Sequence, residues 1–294
     1  MKAFLLLLLF IPTITFGQSS LVIEQTTTIP LGPGANQIGI EKAEGEDWKP
    51  LFFSIDGTGN IHIPDFYKGR IAIFSPEGRL IRALAVPQGI SPRMNYFSLA
   101  AVPGYVTWDG SALYLLDEKG ALKWKHPFGY GSIPDRVFVS PSGIFVHLPS
   151  FQGVEQGCLV FGYSSPTILG TFGLTTPAGR VPMIAAEGGK AFALKLGDMH
   201  SIPGLGVGSF DGPPDAVLLS VTDDLRSAWF EHRKGEDVVT LFSSAGKHVL
   251  TEAIVFPAGE EGSGFWTYAN SDLSMYKNYF TSDSLQILKY RISE

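Results

Sequence analysis

The chain has 294 residues, 45% of them hydrophobic, with 22 Lys and Arg against 28 Asp and Glu for a formal net charge of −6. That balance argues against duplex nucleic acid as a partner, because phosphate contacts require a basic face. The single cysteine, Cys158, rules out an intrachain disulfide, so stability has to come from a buried core, which a chain of this length can build as one domain.

Met1-Lys2, an apolar run over residues 3–16 interrupted by Pro12, and then Gly17-Gln18-Ser19-Ser20 have the layout of a secretory signal peptide. Thr15 and Gly17 are the small residues that put cleavage before Gln18. The run is shorter than the roughly 20 apolar residues a spanning helix needs. The expectation is an exported protein, periplasmic or extracellular, with residues 1–17 as signal, residues 18–294 as a single domain, and no membrane span after cleavage.

Residues 21–29, rich in β-branched side chains, read as a strand. Residues 53–78 then form three short alternating strands punctuated by turn residues. Residues 98–123 repeat them: Gly104-Tyr-Val-Thr-Trp-Asp109 falls on Asn60-Ile-His-Ile-Pro-Asp65 at an offset of 44, and Leu113 to Gly120 falls on Ile71 to Gly78 at an offset of 42. Repeats of this length built from short strands are the signature of a β-propeller, and the shared register argues against a sandwich or barrel. A third copy runs over residues 137–161, with Pro149 to Gly153 echoing Pro64 to Gly69. A fourth begins near Met183 and meets a Gly/Pro-rich loop over residues 197–214. A fifth takes strands at 217–221, 227–231, 238–242 and 248–250. Residues 265–290 supply only three strands, so the strand at 21–29 is expected to pair with the last of them. The fold class is all-β, a six-bladed propeller of four-stranded antiparallel blades closed by the N-terminal strand, which covers an otherwise open sheet edge.

The segment from Asn60 to Phe74, in which a turn Gly-Asn leads to a strand ending in Asp65, a short loop, Arg70 and a strand ending in Phe, resembles the NHL repeat of the TolB-like propeller superfamily. That resemblance implies that Asp65 and Arg70 form a structural ion pair bracketing the loop. The second repeat keeps Asp109 but has no Arg at the matching place. Tyr67 and Lys68 at the loop tip are candidates for contact with a partner.

Lys49, Arg93 and Arg180 each lie four residues before the start of an expected inner strand, and Arg136 lies nearby in a shortened linker. Equivalent linkers cluster at one mouth of a propeller channel, so these residues are a candidate cationic collar for an anionic ligand. The competing assignment is solvated side chains paired with local carboxylates such as Asp47 and Asp135.

Other motifs carry less chemistry. His62, His126, His147, His200, His232 and His248 show no metal-ligand spacing. Asp56-Gly-Thr-Gly-Asn60 lacks the sixth-position Gly and twelfth-position Glu of a calcium loop and reads as a hairpin turn. Gly204-Leu-Gly-Val-Gly208 lacks the following helix of a phosphate loop, and Ser209 lacks the spacing of a hydrolase elbow. Glu44-Gly-Glu-Asp-Trp48 is weakly similar to the acidic metal ligand of gluconolactonase-like propellers. The five tryptophans are expected to pack between blades. The sequence therefore favours an exported, non-catalytic scaffold without metal or cofactor, binding a protein, peptide or glycan at one channel mouth. A metal-dependent hydrolase or lyase of the gluconolactonase-like type is the alternative.

Overall fold

Alternating β-branched and aromatic runs, cut every few residues by Gly, Pro or Asp, favour short antiparallel strands joined by tight turns. Strands form nearly all the regular structure, and one turn of 3-10 helix, Phe66–Lys68, is the exception among the described residues. The computed structural model describes residues 20–43, 46–50, 52–90, 96–99, 102–109, 111–128, 136–140, 143–151, 154–172, 174–176, 179–181, 183–185, 191–195, 198–200, 217–221, 227–233, 236–243, 247–254, 266–269 and 274–293. The signal-peptide expectation lies outside them. Among the described residues no helix is long and apolar enough to cross a membrane.

The first sheet is a four-stranded antiparallel meander of Ser54–Ile55, Ile61–Asp65, Arg70–Phe74 and Leu80–Ala85. The second repeats it with Tyr96–Leu99, Gly104–Trp108, Ala112–Asp117 and Leu122–Pro127. The third comprises Arg136–Ser140, Gly143–Phe151, Val154–Phe161 and Ile168–Phe172. A three-stranded sheet of Met183–Ala185, Ala191–Lys195 and Asp198–His200 follows. The next is again four-stranded, with Val217–Val221, Ser227–Arg233, Glu236–Phe242 and His248–Ile254. The terminal sheet holds Trp266–Ala269, Ser274–Phe280 and Ser284–Ser293, with Ser20–Pro30 as its outer strand. That N-terminal strand pairs from Ser20 with Ser293 to Pro30 with Ser284, shifting register between Ile23 and Gln25.

Several first strands of successive sheets are neighbours. Ser54–Ile55 lies between Tyr96–Leu99 and Trp266–Ala269; Arg136–Ser140 lies between Tyr96–Leu99 and Met183–Ala185. The core sits between sheets rather than at one centre. Ile71, Ile73, Leu84, Tyr105 and Leu116 fill the first wedge, and Val106, Trp108, Leu115, Trp124, Val146 and Phe161 the next. Ile29, Phe53, Phe74, Tyr276 and Ile287 join the terminal sheet to the first. Trp108 and Trp124 thus pack between sheets as expected.

Two glycines reveal an equivalence between these contacts. A side chain at Gly120, φ +83°, would meet the Ala85 carbonyl oxygen of the preceding sheet's outer strand at 2.5 Å. One at Gly78, φ +80°, would meet the Thr28 carbonyl oxygen at 2.3 Å. The N-terminal strand therefore presents itself to the first sheet as Leu80–Ala85 presents itself to the second.

The structure departs from expectation in four places, one being that Asp198–His200, inside the expected loop over residues 197–214, is a strand. Arg136 is not in a linker: it opens the third sheet's first strand, opposite His147. Residues 149–151 do not copy the loop after Asp65, because the strands extend until Phe151 pairs with Val154. Two linkers fold into small hairpins, Glu41–Ala43 with Glu46–Trp48 and Leu174–Thr176 with Gly179–Val181.

Candidate functional site

In a four-stranded meander the turn between the second and third strands lies at the same end as the linker to the next sheet, and the other two turns lie at the opposite end. The 66–69 turn and the segments around residues 31–40 and Lys49 therefore share one end of the assembly, the linker end.

Here Arg70 Nε donates to Asp65 Oδ2 at 2.7 Å, with Asp65 fully buried. The pair does more than brace two strands. Asp65 Oδ1 accepts the backbone N–H of Gly39 at 3.0 Å. Arg70 also donates from Nη1 to the Ala35 carbonyl and from Nη2 to the Gln37 carbonyl, at 2.7 and 2.6 Å. Lys68 Nζ donates to the carbonyls of Gly32, Gly34 and Gln37, each at 2.7 Å. An ammonium has three N–H donors. Those of Lys68 are all engaged within the chain, so its role at this end is to hold residues 32–37. Burial draws its ammonium below the ordinary lysine range, Asp65 opposes that shift, and Arg70 adds to it.

Tyr67, half-buried beside it, has interactions of its own. Lys49 is placed differently. Its ammonium stands 5.2 Å from the centre of the Phe280 ring, a cation–π contact near the turn that ends the strand Ser274–Phe280. Arg180 lies in the hairpin strand Gly179–Val181, in the linker before Met183–Ala185, opposite Thr175. Arg93 lies outside the described residues. The linker that carries Lys49 also carries Glu41, Glu44, Glu46 and Asp47.

At the opposite end, Asp56 organises the first turn. Its Oδ1 accepts from Thr58 N, Thr58 Oγ1 and Asn60 N at 2.9, 2.7 and 2.9 Å. Its Oδ2 accepts from Asn60 Nδ2 at 2.9 Å and lies 3.2 Å from His62 Nε2. Burial alone would raise this carboxyl, but the bonds from Thr58, Asn60 and His62 outweigh it and hold it well below the usual carboxylate range. The turn's oxygens are thus filled by its own donors. His62 Nδ1 lies 3.1 Å from the Tyr105 hydroxyl of the second sheet. An ionised Asp56 only accepts, so Nε2 carries the proton and Nδ1 accepts from Tyr105. Burial lowers the His62 imidazole and raises the Tyr105 phenol to about 12, leaving both neutral near pH 7. This chain from sheet to sheet is not visible in local motifs; its only sequence trace is that His62 and Tyr105 stand 43 residues apart, close to one repeat. Among the described residues no group of three or more His, Cys, Asp or Glu could hold a metal ion.

No protein-family model matches the chain, and no curated protein matches it. Solved structures do. A member of the DUF4221 family from Bacteroides vulgatus is 11% identical, with TM-score 0.52 over 94% of this chain and 99% of that one. A catalytically inactive virginiamycin B lyase from Staphylococcus aureus, crystallised with quinupristin, is 11% identical, with TM-score 0.51 over 92% and 99%. A gluconolactonase from Xanthomonas campestris overlaps more loosely, at 14% identity and TM-score 0.45 over 81% and 84%. The chain has a propeller-type all-β fold. At such identities the likeness reaches the fold and not the activity.

Proposed function

We propose that the chain is an exported, non-catalytic propeller of six blades, closed by its N-terminal strand, that binds an anionic protein, peptide or glycan at the linker end of its channel. Six first strands, beginning at Ser54, Tyr96, Arg136, Met183, Val217 and Trp266, support the blade number. The pairing of Ser20–Pro30 with Ser284–Ser293 and the matching contacts of Gly78 and Gly120 support the closure.

The observation that carries the ligand reading is Lys49. It is a partly exposed cation at the linker end, held beside Phe280, where an aromatic face and an ammonium together favour an acidic group next to an apolar one. The scaffold reading draws on what three of the described acids already do: Asp56, Asp65 and Asp109 each accept several hydrogen bonds from their own turns or neighbours.

The test is binding of an acidic peptide, a sulfated glycan and inorganic phosphate to wild type and to the triple variant Lys49→Gln, Arg93→Gln, Arg180→Gln. Wild type should bind at least one probe with an affinity that falls as salt rises, and the variant should lose both the affinity and its salt dependence. Equal binding by the two proteins overturns the collar. A stoichiometric divalent metal in the purified protein would instead favour the hydrolase or lyase reading.

A further inference from the structure

We infer that residues 32–39 form a latch, gripped by Lys68, Arg70 and Asp65 of the first sheet, that holds the outer strand Ser20–Pro30 of the terminal sheet in place. The inference rests on the closed-ring reading and adds the element that keeps the seam shut. The segment leaves the terminal sheet at Pro30 and crosses to the first sheet. Its middle, Gly32-Pro-Gly-Ala-Asn-Gln37, has no large apolar side chain, and burial is confined to its ends, at Leu31 (8% exposed), Ile38 (0%) and Gly39. A glycine-rich crossing of this kind gains little from burial and loses much backbone freedom on ordering.

What orders it is a set of hydrogen bonds with charged partners. Lys68 takes the carbonyls of Gly32, Gly34 and Gln37, Arg70 those of Ala35 and Gln37, and Asp65 the N–H of Gly39. The loop meets them with bonds of its own, from Gly32 N to the Ile38 carbonyl and from Ile38 N to the Pro30 carbonyl, at 2.8 and 2.9 Å. The last of these ties the gripped segment directly to the end of the outer strand. Bonds to charged groups are the stronger class, and several of them converge here.

Gly39 gives access to the latch from its other side. A side chain there would meet Asp65 Oδ1 at 2.7 Å, Tyr67 Cβ at 3.2 Å and Lys68 Cγ at 3.3 Å. Gly39→Ala therefore disturbs the same grip without removing a charge.

The experiment is hydrogen–deuterium exchange on wild type, Lys68→Met and Gly39→Ala. It compares peptides spanning residues 20–30 and 284–293 with a reference peptide spanning residues 112–117. Both variants should accelerate exchange in the two seam strands by about tenfold or more relative to the reference. Unchanged seam exchange in both variants, acceleration confined to residues 31–40, or equal acceleration of the reference each overturns the latch. Seam strands that already exchange like frayed ends in wild type overturn the closed ring itself, which separates that failure from failure of the latch.

Discussion

Tyr114 donates its hydroxyl to Asp109 Oδ2 at 2.7 Å, at the turn where the first sheet sets Asp65 against Arg70. The second sheet thus closes its turn locally, with Ser111 N, Ser111 Oγ and Ala112 N completing the shell around Asp109 Oδ1. In the first sheet the equivalent carboxylate reaches out to Gly39. One aspartate serves its own turn, while the other joins two segments of chain 26 residues apart.

Asp65→Ala should therefore cost more than Asp109→Ala. The former leaves Arg70 and the Gly39 N–H without their buried acceptor, a loss of about 1–3 kcal/mol. The latter exposes donors that water can reach more easily, so about 1 kcal/mol is expected. Urea unfolding of the two variants checks the order, and an equal or reversed order contradicts it.

Gly78→Ala and Gly120→Ala should each be strongly destabilising. Both positions have positive φ, costing about 1–2 kcal/mol for a side chain, and both would drive a Cβ into a backbone carbonyl of the neighbouring outer strand, adding about 1–3 kcal/mol. Gly59, φ +83°, provides the control, since its nearest neighbour is Pro76 Cγ at 3.4 Å. Gly59→Ala should show the conformational cost alone, and thermal melting of the three variants side by side reads the difference.

His62 should make stability depend on pH. Its folded pKa lies below the ordinary 6.5, so as pH falls through that value the unfolded chain takes up the proton first. The contribution is complete above about pH 6.5, declines as pH drops toward the folded pKa, and is level below it. Urea midpoints between pH 5 and 7.5 should fall on acidification in wild type, and less in His62→Gln. An identical slope in the variant would remove His62 as the cause.

Lys277 and Asp237 form a salt bridge between the terminal sheet and the one before it, with the Lys277 side chain wholly buried. Burial pulls the Lys277 ammonium below its ordinary range while the Asp237 carboxylate opposes that shift. Asp237→Ala removes the opposing charge and should cost about 3–5 kcal/mol near neutral pH. Because the folded pKa then lies further below the unfolded one, the variant should regain stability as pH rises between the two. A variant whose deficit stays constant from pH 7 to 10 would refute this account.

How much of this was legible varied with the range of the interaction. The first two repeats could be aligned because alternation and turn residues are local, and the strands 217–221, 227–231 and 238–242 followed from the same signals. The N-terminal strand follows from a deficit of one strand after residue 265. The hairpins at residues 41–48 and 174–181 were not foreseen, since their strands have only three residues each and no room to display a period. The expected pair of Asp65 and Arg70 is present, but the work of Lys68 was hidden because its partners are backbone carbonyls 31 to 36 residues away. A sequence pattern records side chains, and what receives this lysine is backbone. Arg136 reads as linker because a linker and the first residue of a strand look alike when the preceding Pro-Asp signals a turn.

The pairing of Ser20–Pro30 with Ser284–Ser293 also has a consequence in time. Thr28 and Gln286, whose side chains bond to each other, are 258 residues apart. At a synthesis rate of about 5–20 residues per second, the earlier strand waits roughly 10–50 s for its partner to be made. Throughout that interval its backbone donors and acceptors are available to any other unpaired edge. A chain interrupted before residue 284 never supplies that partner, and leaves the whole edge of Ser20–Pro30 open.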